Sequence, residues 1–537
     1  MKSKLISLSL MTIALIYFGC RKYDPNKIVS TAWNPNIAIP LAYAEFDAYD
    51  ILARTDSNDL VVIDPISGAI ALIYKGEVVS YEAQDIVQLS DFSNTVSLSS
   101  ADMGLTALGS FSGNVSGSTA STVTTPANGG VEMYTVLFKN GNLSINVQTN
   151  IQHDVDITIT IPSLLESGSA FTRTIPLTYA GVIPQVAAIS VNLSGMPLDL
   201  TQGNITFNEF DIQTTVAVAG NGNPLTGNES CAAELIFSSL KFQNATGYFG
   251  QQSIGIGNDS ILIKLFQNST EGFFQLIDPK VRFTVENSFG FPLEINLANL
   301  QSINVNTGAN LPLTGYPNPL AIPSPSSMGL STTTVLELNS SNTTNITDIV
   351  TPTPKYLYFE ASGTSNPLGN VTTNFITDTS RFTVDAELEL PLEGYAYGFT
   401  FSDTIPFTFS ETIENIENIE SLMIRINVDN GFPVELLSQV IFLDSNNVTL
   451  FDLMDAPENV IESALIDANG RVNQNTLKIT DININETKIE QISEARYIVV
   501  NAVSQSLDGN NGTVVEFYDD YKLNVKIGMQ VQGKLNF

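Results

Sequence analysis

The sequence predicts an all-β protein made of tandem antiparallel β-sandwich (Ig-like) domains, and three observations carry that prediction. A long segment of the chain is duplicated. Each copy closes on a run of apolar residues at period two, the mark of a strand with one face buried and one in water, which antiparallel sheets routinely allow. Between these runs lie short β-rich stretches separated by Asn, Gly, Ser and Pro, the spacing expected of sandwiches. A helical period shows only around 413–420 and 486–493, which read as short helices or turns.

The duplication is specific. Val281-Arg282-Phe283-Thr284-Val285-Glu286-Asn287 recurs as Ile424-Arg425-Ile426-Asn427-Val428-Asp429-Asn430. Gly290-Phe291-Pro292 recurs as Gly431-Phe432-Pro433, an offset of 431 − 290 = 141. Lys355-Tyr356-Leu357 and Ala361 meet Arg496-Tyr497-Ile498 and Ala502 at that same offset. The closing strands begin at Phe382, with Val384, Ala386, Leu388, Leu390 and Leu392 on one face, and at Tyr521, with Leu523, Val525, Ile527, Met529 and Val531, which puts the offset there at 521 − 382 = 139. A small change of gap over so long a stretch makes chance implausible. Residues 275–410 and 418–537 are therefore two sandwiches. The clean alternation of Asp154-Val155-Asp156-Ile157-Thr158-Ile159-Thr160 extends the scheme to a third, over 130–270, and 33–129 is expected to form an N-terminal β-element before them. Within 33–129, Leu60 to Tyr74 reads as two β-rich runs around Pro65-Ile66-Ser67-Gly68, a hairpin signal. In both copies the Gly and Pro punctuate a turn after Asn287 or Asn430, and Phe291 and Phe432 are expected to pack its corner. A strand followed by Asn and then Gly-Phe-Pro is loosely similar to the texture of LEA type 2 sandwich domains.

The first twenty residues predict export. A basic start at Lys2 and Lys4 leads into an apolar stretch ending at Phe18, too short to be read as a spanning helix. Its end, Gly19-Cys20, resembles the lipobox of bacterial lipoproteins. That resemblance implies cleavage after 19, diacylation of Cys20, a polar tether over 20–32 and anchoring by lipid. The following segment, Trp33-Asn34-Pro35-Asn36-Ile37-Ala38-Ile39-Pro40-Leu41 and Glu45 to Leu52, resembles the opening of uncharacterised Bacteroidota lipoproteins and attaches no reaction to the chain. By similarity to enterobacterial sorting, Arg21 after the cysteine favours the outer membrane, with the membrane face left open.

Composition narrows the function. The formal charge of −32 repels phosphate backbones, so nucleic acid is not an expected partner. With Cys20 taken by lipid, Cys231 has no disulfide partner and reads as a buried thiol in a strand. A Ser-His-Asp or Cys-His site would need His153, the single histidine, and no serine elbow accompanies it. Two carboxylates suffice for glycoside hydrolysis, and Asp385, Glu387 and Glu389 share one strand face roughly 7 Å apart. The second copy does not keep these acids, which favours a solvated face. Asp467-Ala468-Asn469-Gly470 and Asp508-Gly509-Asn510-Asn511-Gly512 are either Asx turns or, with Asp508 and Asn510 as ligands, a structural calcium site; neither completes a full calcium loop. Asp259-Ser260-Ile261 and Asp403-Thr404-Ile405 resemble the short Asp-Ser/Thr-aliphatic acceptor of O-glycosylation in Bacteroidota. The expected function is non-enzymatic: a lipid-anchored binding or scaffold protein of the outer membrane with a protein partner in the envelope. The alternatives are a surface adhesin or glycan-binding lipoprotein and, further off, a carboxylate-pair hydrolase. No cofactor is expected beyond the calcium option.

Overall fold

The computed structural model describes residues 36–53, 61–106, 108–127, 129–266, 271–407 and 419–533. Cys20, the export signal, the tether and all but the end of the 413–420 stretch lie outside them. The regular secondary structure of the described residues is almost entirely strand, in antiparallel sheets, as the sequence predicts. They form two compact units, Ala53–Asn268 with Phe273–Gly394, and Tyr395–Phe537 with Ser269–Gly272 and the residues up to Leu52.

Alternation makes the strands. In Asp154–Glu166, Val155, Ile157, Ile159 and Ile161 are no more than 1% exposed while Asp154 and Asp156 face water. Burying each such side chain is worth about 1.5–3 kcal/mol relative to leaving it exposed. The first sandwich sets this strand beside Ser169–Leu177 on one side and Glu209–Ala219 on the other, with Asn114–Thr124 at the far edge. The second sheet is built on two long strands, Glu132–Thr149 and Ser230–Tyr248, joined by Gln185–Asn192 and Phe92–Ser99. Pro197–Asp199 pairs with both Glu132–Thr149 and Asp154–Glu166 and so ties the sheets at one corner. Phe210 and Phe237 meet edge to face at 5.7 Å in the core.

The two repeats share a strand plan. In one, Lys280–Asn287 lies between Thr332–Leu338 and Arg381–Pro391; in the other, Ile419–Asn430 lies between Thr476–Ile484 and Lys522–Gly533. The facing sheets pair Leu293–Ile303 with Tyr356–Ser365, and Val434–Leu443 with Tyr497–Ser506. Phe283 and Phe359 meet edge to face at 5.6 Å in the first repeat, and Phe442 stacks on Phe451 at 4.7 Å in the second.

Three expectations are corrected by the ladders. The segment 33–129 does not stand apart as an N-terminal element. Asn36–Asp47 extends the last repeat by pairing with Lys522–Gly533, Ile70–Glu82 extends the middle one by pairing with Arg381–Pro391, and Phe92–Ser99 joins the first sandwich. The repeat boundaries also shift. Ser253–Leu262, placed by sequence in the first sandwich, pairs with Tyr356–Ser365, and Phe399–Pro406, placed in the second, pairs with Tyr497–Ser506. The closing strands are offset by 141 rather than 139, since Asn287 pairs with Phe382 and Asn430 with Leu523, and 523 − 382 = 141. A slip of two residues leaves every side chain on its own face, so alternation alone could not distinguish the two registers. The 486–493 stretch is the helix Glu486–Ile492, whose N-cap Asn485 accepts the Lys488 N–H at 3.0 Å.

Candidate functional site

The duplicated turn motif is a structural corner. Asn287 and Asn430, 0% and 1% exposed, repeat one hydrogen-bond set. Asn287 Oδ1 accepts the Phe289 N–H at 2.9 Å, while its amide donates to the carbonyls of Phe291 at 3.2 Å and Pro323 at 3.1 Å. Asn430 Oδ1 accepts the Phe432 N–H, and its amide donates to Phe432, Val434 and Glu462, all at 2.9 Å. Each Asn thus turns the chain from one sheet to the other and satisfies backbone groups that would otherwise be buried without partners. Gly290 and Gly431 stand where the backbone runs close to a neighbour: a Cβ at Gly290 would strike the Phe375 ring, and one at Gly431 would lie 2.8 Å from the Lys522 carbonyl. Pro292 and Pro433 accept the Asn366 and Leu507 N–H groups at 2.9 Å. Phe291 packs edge to face on Phe249 at 6.0 Å and stacks on Phe289, whereas Phe432 packs on Tyr521 at 5.8 Å.

The carboxylate face is held by cations. Glu387 is bound by Arg282 at 2.9 Å and by Lys75 at 3.3 Å. Glu389 is bound by Arg282 and by Lys280 at 3.4 Å. Arg282 also reaches Glu337 at 2.7 Å. Partial burial works against the Arg282 charge, yet its bonds to Glu337, Glu389 and Glu387 outweigh that and raise its pKa. The Arg282 hydrogen bond, followed by that of Asn339, holds Glu337 below the ordinary carboxylate range. In the other repeat Arg425 binds Asp481 with two bonds of 2.6 Å at the corresponding strand pair. This cross-strand Arg-to-acid pair escaped the sequence reading. Its signal was Arg282 and Arg425 at the same place in the duplicated heptad, with the partner acids on a strand whose register was unknown. Asp385 lies opposite Thr284 and Glu77 in the ladder. The face is a network of partly exposed ion pairs on a sheet.

His153 is 0% exposed. Its Nδ1 lies 2.7 Å from Asn221 Oδ1 and 3.2 Å from the Asn221 backbone nitrogen, Phe111 meets its ring edge to face at 5.4 Å, and Nε2 has no hydrogen-bond partner among the described residues. Burial pushes the Cys231 thiol up to about 12, so the thiolate is suppressed. Asp508 and Asn510 are exposed around the 3-10 turn Gly509–Asn511, with Asp508 at φ 49°. Asp467 closes an Asx turn by accepting the Asn469 and Arg471 N–H groups at 2.8 and 3.1 Å. Among the described residues no three His, Cys, Asp or Glu side chains gather as a metal site. An open concavity of about 410 Å³ is lined by Asn114, Ser116, Asp154, Asp156 and Ala217 at the end of the first sandwich, where Asp154 is engaged by the Tyr179 N–H at 2.8 Å. Among the described residues no helix is long and apolar enough to cross a membrane.

No family model matches the chain, and no curated protein matches it. Among solved structures, a "putative secreted protein" of Parabacteroides distasonis aligns at 12% identity over 93% of this chain and 100% of its own, with a TM-score of 0.27. The triple jelly roll turret protein of an archaeal virus aligns at 12% identity over 85% and 96%, with a TM-score of 0.12. PNGase F of Flavobacterium meningosepticum, a glycosylasparaginase, aligns at 11% identity over 56% and 96%, with a TM-score of 0.13. At these scores none of the three carries an argument about this chain's function.

Proposed function

We propose that this chain is a lipid-anchored protein of the bacterial outer membrane that works by binding, as an accessory subunit of an envelope protein complex. The observation that carries the reading is Gly19-Cys20 at the end of a short apolar export segment. A second observation gives the anchor a geometric consequence. Asn36 is 16 residues from Cys20 (36 − 20) and begins the strand paired with Lys522–Gly533. Sixteen residues span at most roughly 55 Å. The acyl chains would therefore tie the C-terminal repeat, last in sequence, close to the bilayer surface. That repeat also carries an edge strand, Thr476–Ile484, with Leu477 65% and Ile479 51% exposed. Sheet edges are where an added partner strand gains main-chain hydrogen bonds.

The test is co-purification of the tagged chain from mildly solubilised membranes, beside a Cys20→Ser variant. A stoichiometric envelope protein with the anchored chain, and loss of the variant from the membrane fraction, are expected. Recovery of the chain alone, together with binding to purified polysaccharide, would replace this reading with a glycan-binding surface lipoprotein.

A further inference from the structure

The two Asp-Ser/Thr-Ile segments, far apart in sequence, occupy one and the same position of the repeated fold. Asp259 and Ser260 pair with Phe359 and Tyr358, and Asp403 and Thr404 pair with Val500 and Val499. Those partners are 141 residues apart (500 − 359 and 499 − 358), the offset that relates Tyr356–Ser365 to Tyr497–Ser506 along the two strands. Both segments lie on the strand at the edge of that sheet. Around them the strands are unlike: Gly257-Asn258 stands where the other repeat has Phe401-Ser402, and Leu262 where it has Pro406. Packing does not account for what is shared, because Ile261 is 3% exposed and Ile405 is 49% exposed.

The local geometry is shared as well. Asp259 Oδ1 accepts the N–H of Ser260 at 2.7 Å, and Asp403 Oδ1 accepts the N–H of Thr404 at 2.8 Å. Both Asp side chains and both hydroxyl residues are exposed. Neither hydroxyl makes a hydrogen bond among the described residues. A hydroxyl that recurs in position, local geometry and exposure, and bonds to nothing among the described residues, is open to a group from outside.

We propose that Ser260 and Thr404 are acceptor sites for a neutral glycosyl group. Charge decides the class. A phosphate would place about two more negative charges beside Asp259 or Asp403 in a chain that already carries −32, whereas a glycan adds bulk and hydration without charge. Position supplies a use for it, since a bulky polar group on an edge strand hinders another chain from pairing there. The donor is a sugar activated as its diphosphate ester. The hydroxyl oxygen forms the new bond to the anomeric carbon, the bond from that carbon to phosphate breaks, the diphosphate leaves with the electron pair, and the hydroxyl proton passes to a base of the transferase.

Peptide mass analysis of the protein isolated from the cells that export it tests this. The peptides holding 259–261 and 403–405 should each carry the same saccharide increment. Ser260→Ala and Thr404→Ala should each abolish it at their own peptide only, while Ser260→Thr and Thr404→Ser retain it. The sites are exposed, so the alanine variants should keep the parent melting temperature. Unmodified mass at both peptides, a phosphate increment, or a saccharide that persists in the double alanine variant overturns the proposal.

Discussion

One asparagine per repeat decides how the chain crosses between sheets. The Asn430 amide donates to three carbonyls while its Oδ1 accepts a backbone N–H, a division that neither Asp nor Ala can reproduce. Aspartate would set a buried negative charge against carbonyl oxygens, and alanine would strip partners from groups already removed from water. Losing such partners costs about 1–3 kcal/mol for each group left unsatisfied. Asn430→Ala should therefore destabilise its unit by about 3 kcal/mol in denaturant titration. Asn475→Ala, which removes an exposed bond to Asp429, should stay within about 0.5 kcal/mol. Equal effects from the two would mean that the corner is held by the phenylalanines and glycines alone. The same residue shows what sequence could reveal at this scale. The recurrence of Asn before Gly-Phe-Pro marked a structural turn, but the return carbonyls of Pro323 and Glu462 come from segments with no common motif.

At the scale of strands, alternation was legible wherever one face is buried. Asp154–Glu166 and Arg381–Pro391 were found in this way, together with the duplication that contains the latter. Partner choice was not legible, because the hydrogen bonds of a ladder are made by backbone that every residue shares. Asn36–Asp47 illustrates this: most of its side chains are exposed, and its partner is 522–533, at the other end of the sequence. A cross-link tests that pairing directly. Tyr43 lies opposite Lys526, and residues opposite each other in an antiparallel pair have Cα atoms about 4.5–5.5 Å apart, within reach of a disulfide. In a Cys20→Ser background, Tyr43→Cys with Lys526→Cys should oxidise to a single intramolecular bridge, seen as a mobility shift on a non-reducing gel. Buried Cys231 should not compete. Tyr43→Cys with Asn524→Cys, one position out of register on that strand face, should oxidise much more slowly. Equal rates would mean that the strand does not hold this register.

For the molecule as a whole, three sandwiches in sequence do not make three independent folding units. The long strand Ser230–Tyr248 of the first sandwich pairs with Asn374–Thr377 of the second, from Asn244 opposite Thr377 to Gly247 opposite Asn374. Phe249, Phe289 and Phe291 are each 0% exposed and pack together where those sandwiches meet. Lys139 and Asp378 add an ion pair at 2.5 Å, partly exposed and worth about 0–1 kcal/mol. The shared ladder and buried rings are therefore the stronger link, and the first two sandwiches should unfold together. Phe237 lies in the first core and Phe283 in the second, 1% and 2% exposed. Truncating a buried phenylalanine costs about 3–5 kcal/mol. In calorimetry, Phe237→Ala and Phe283→Ala should lower the same transition by similar amounts. Each variant shifting a transition that the other leaves in place would mean that the junction is too weak to couple the sandwiches. It would also restore the modular reading that the sequence alone suggests.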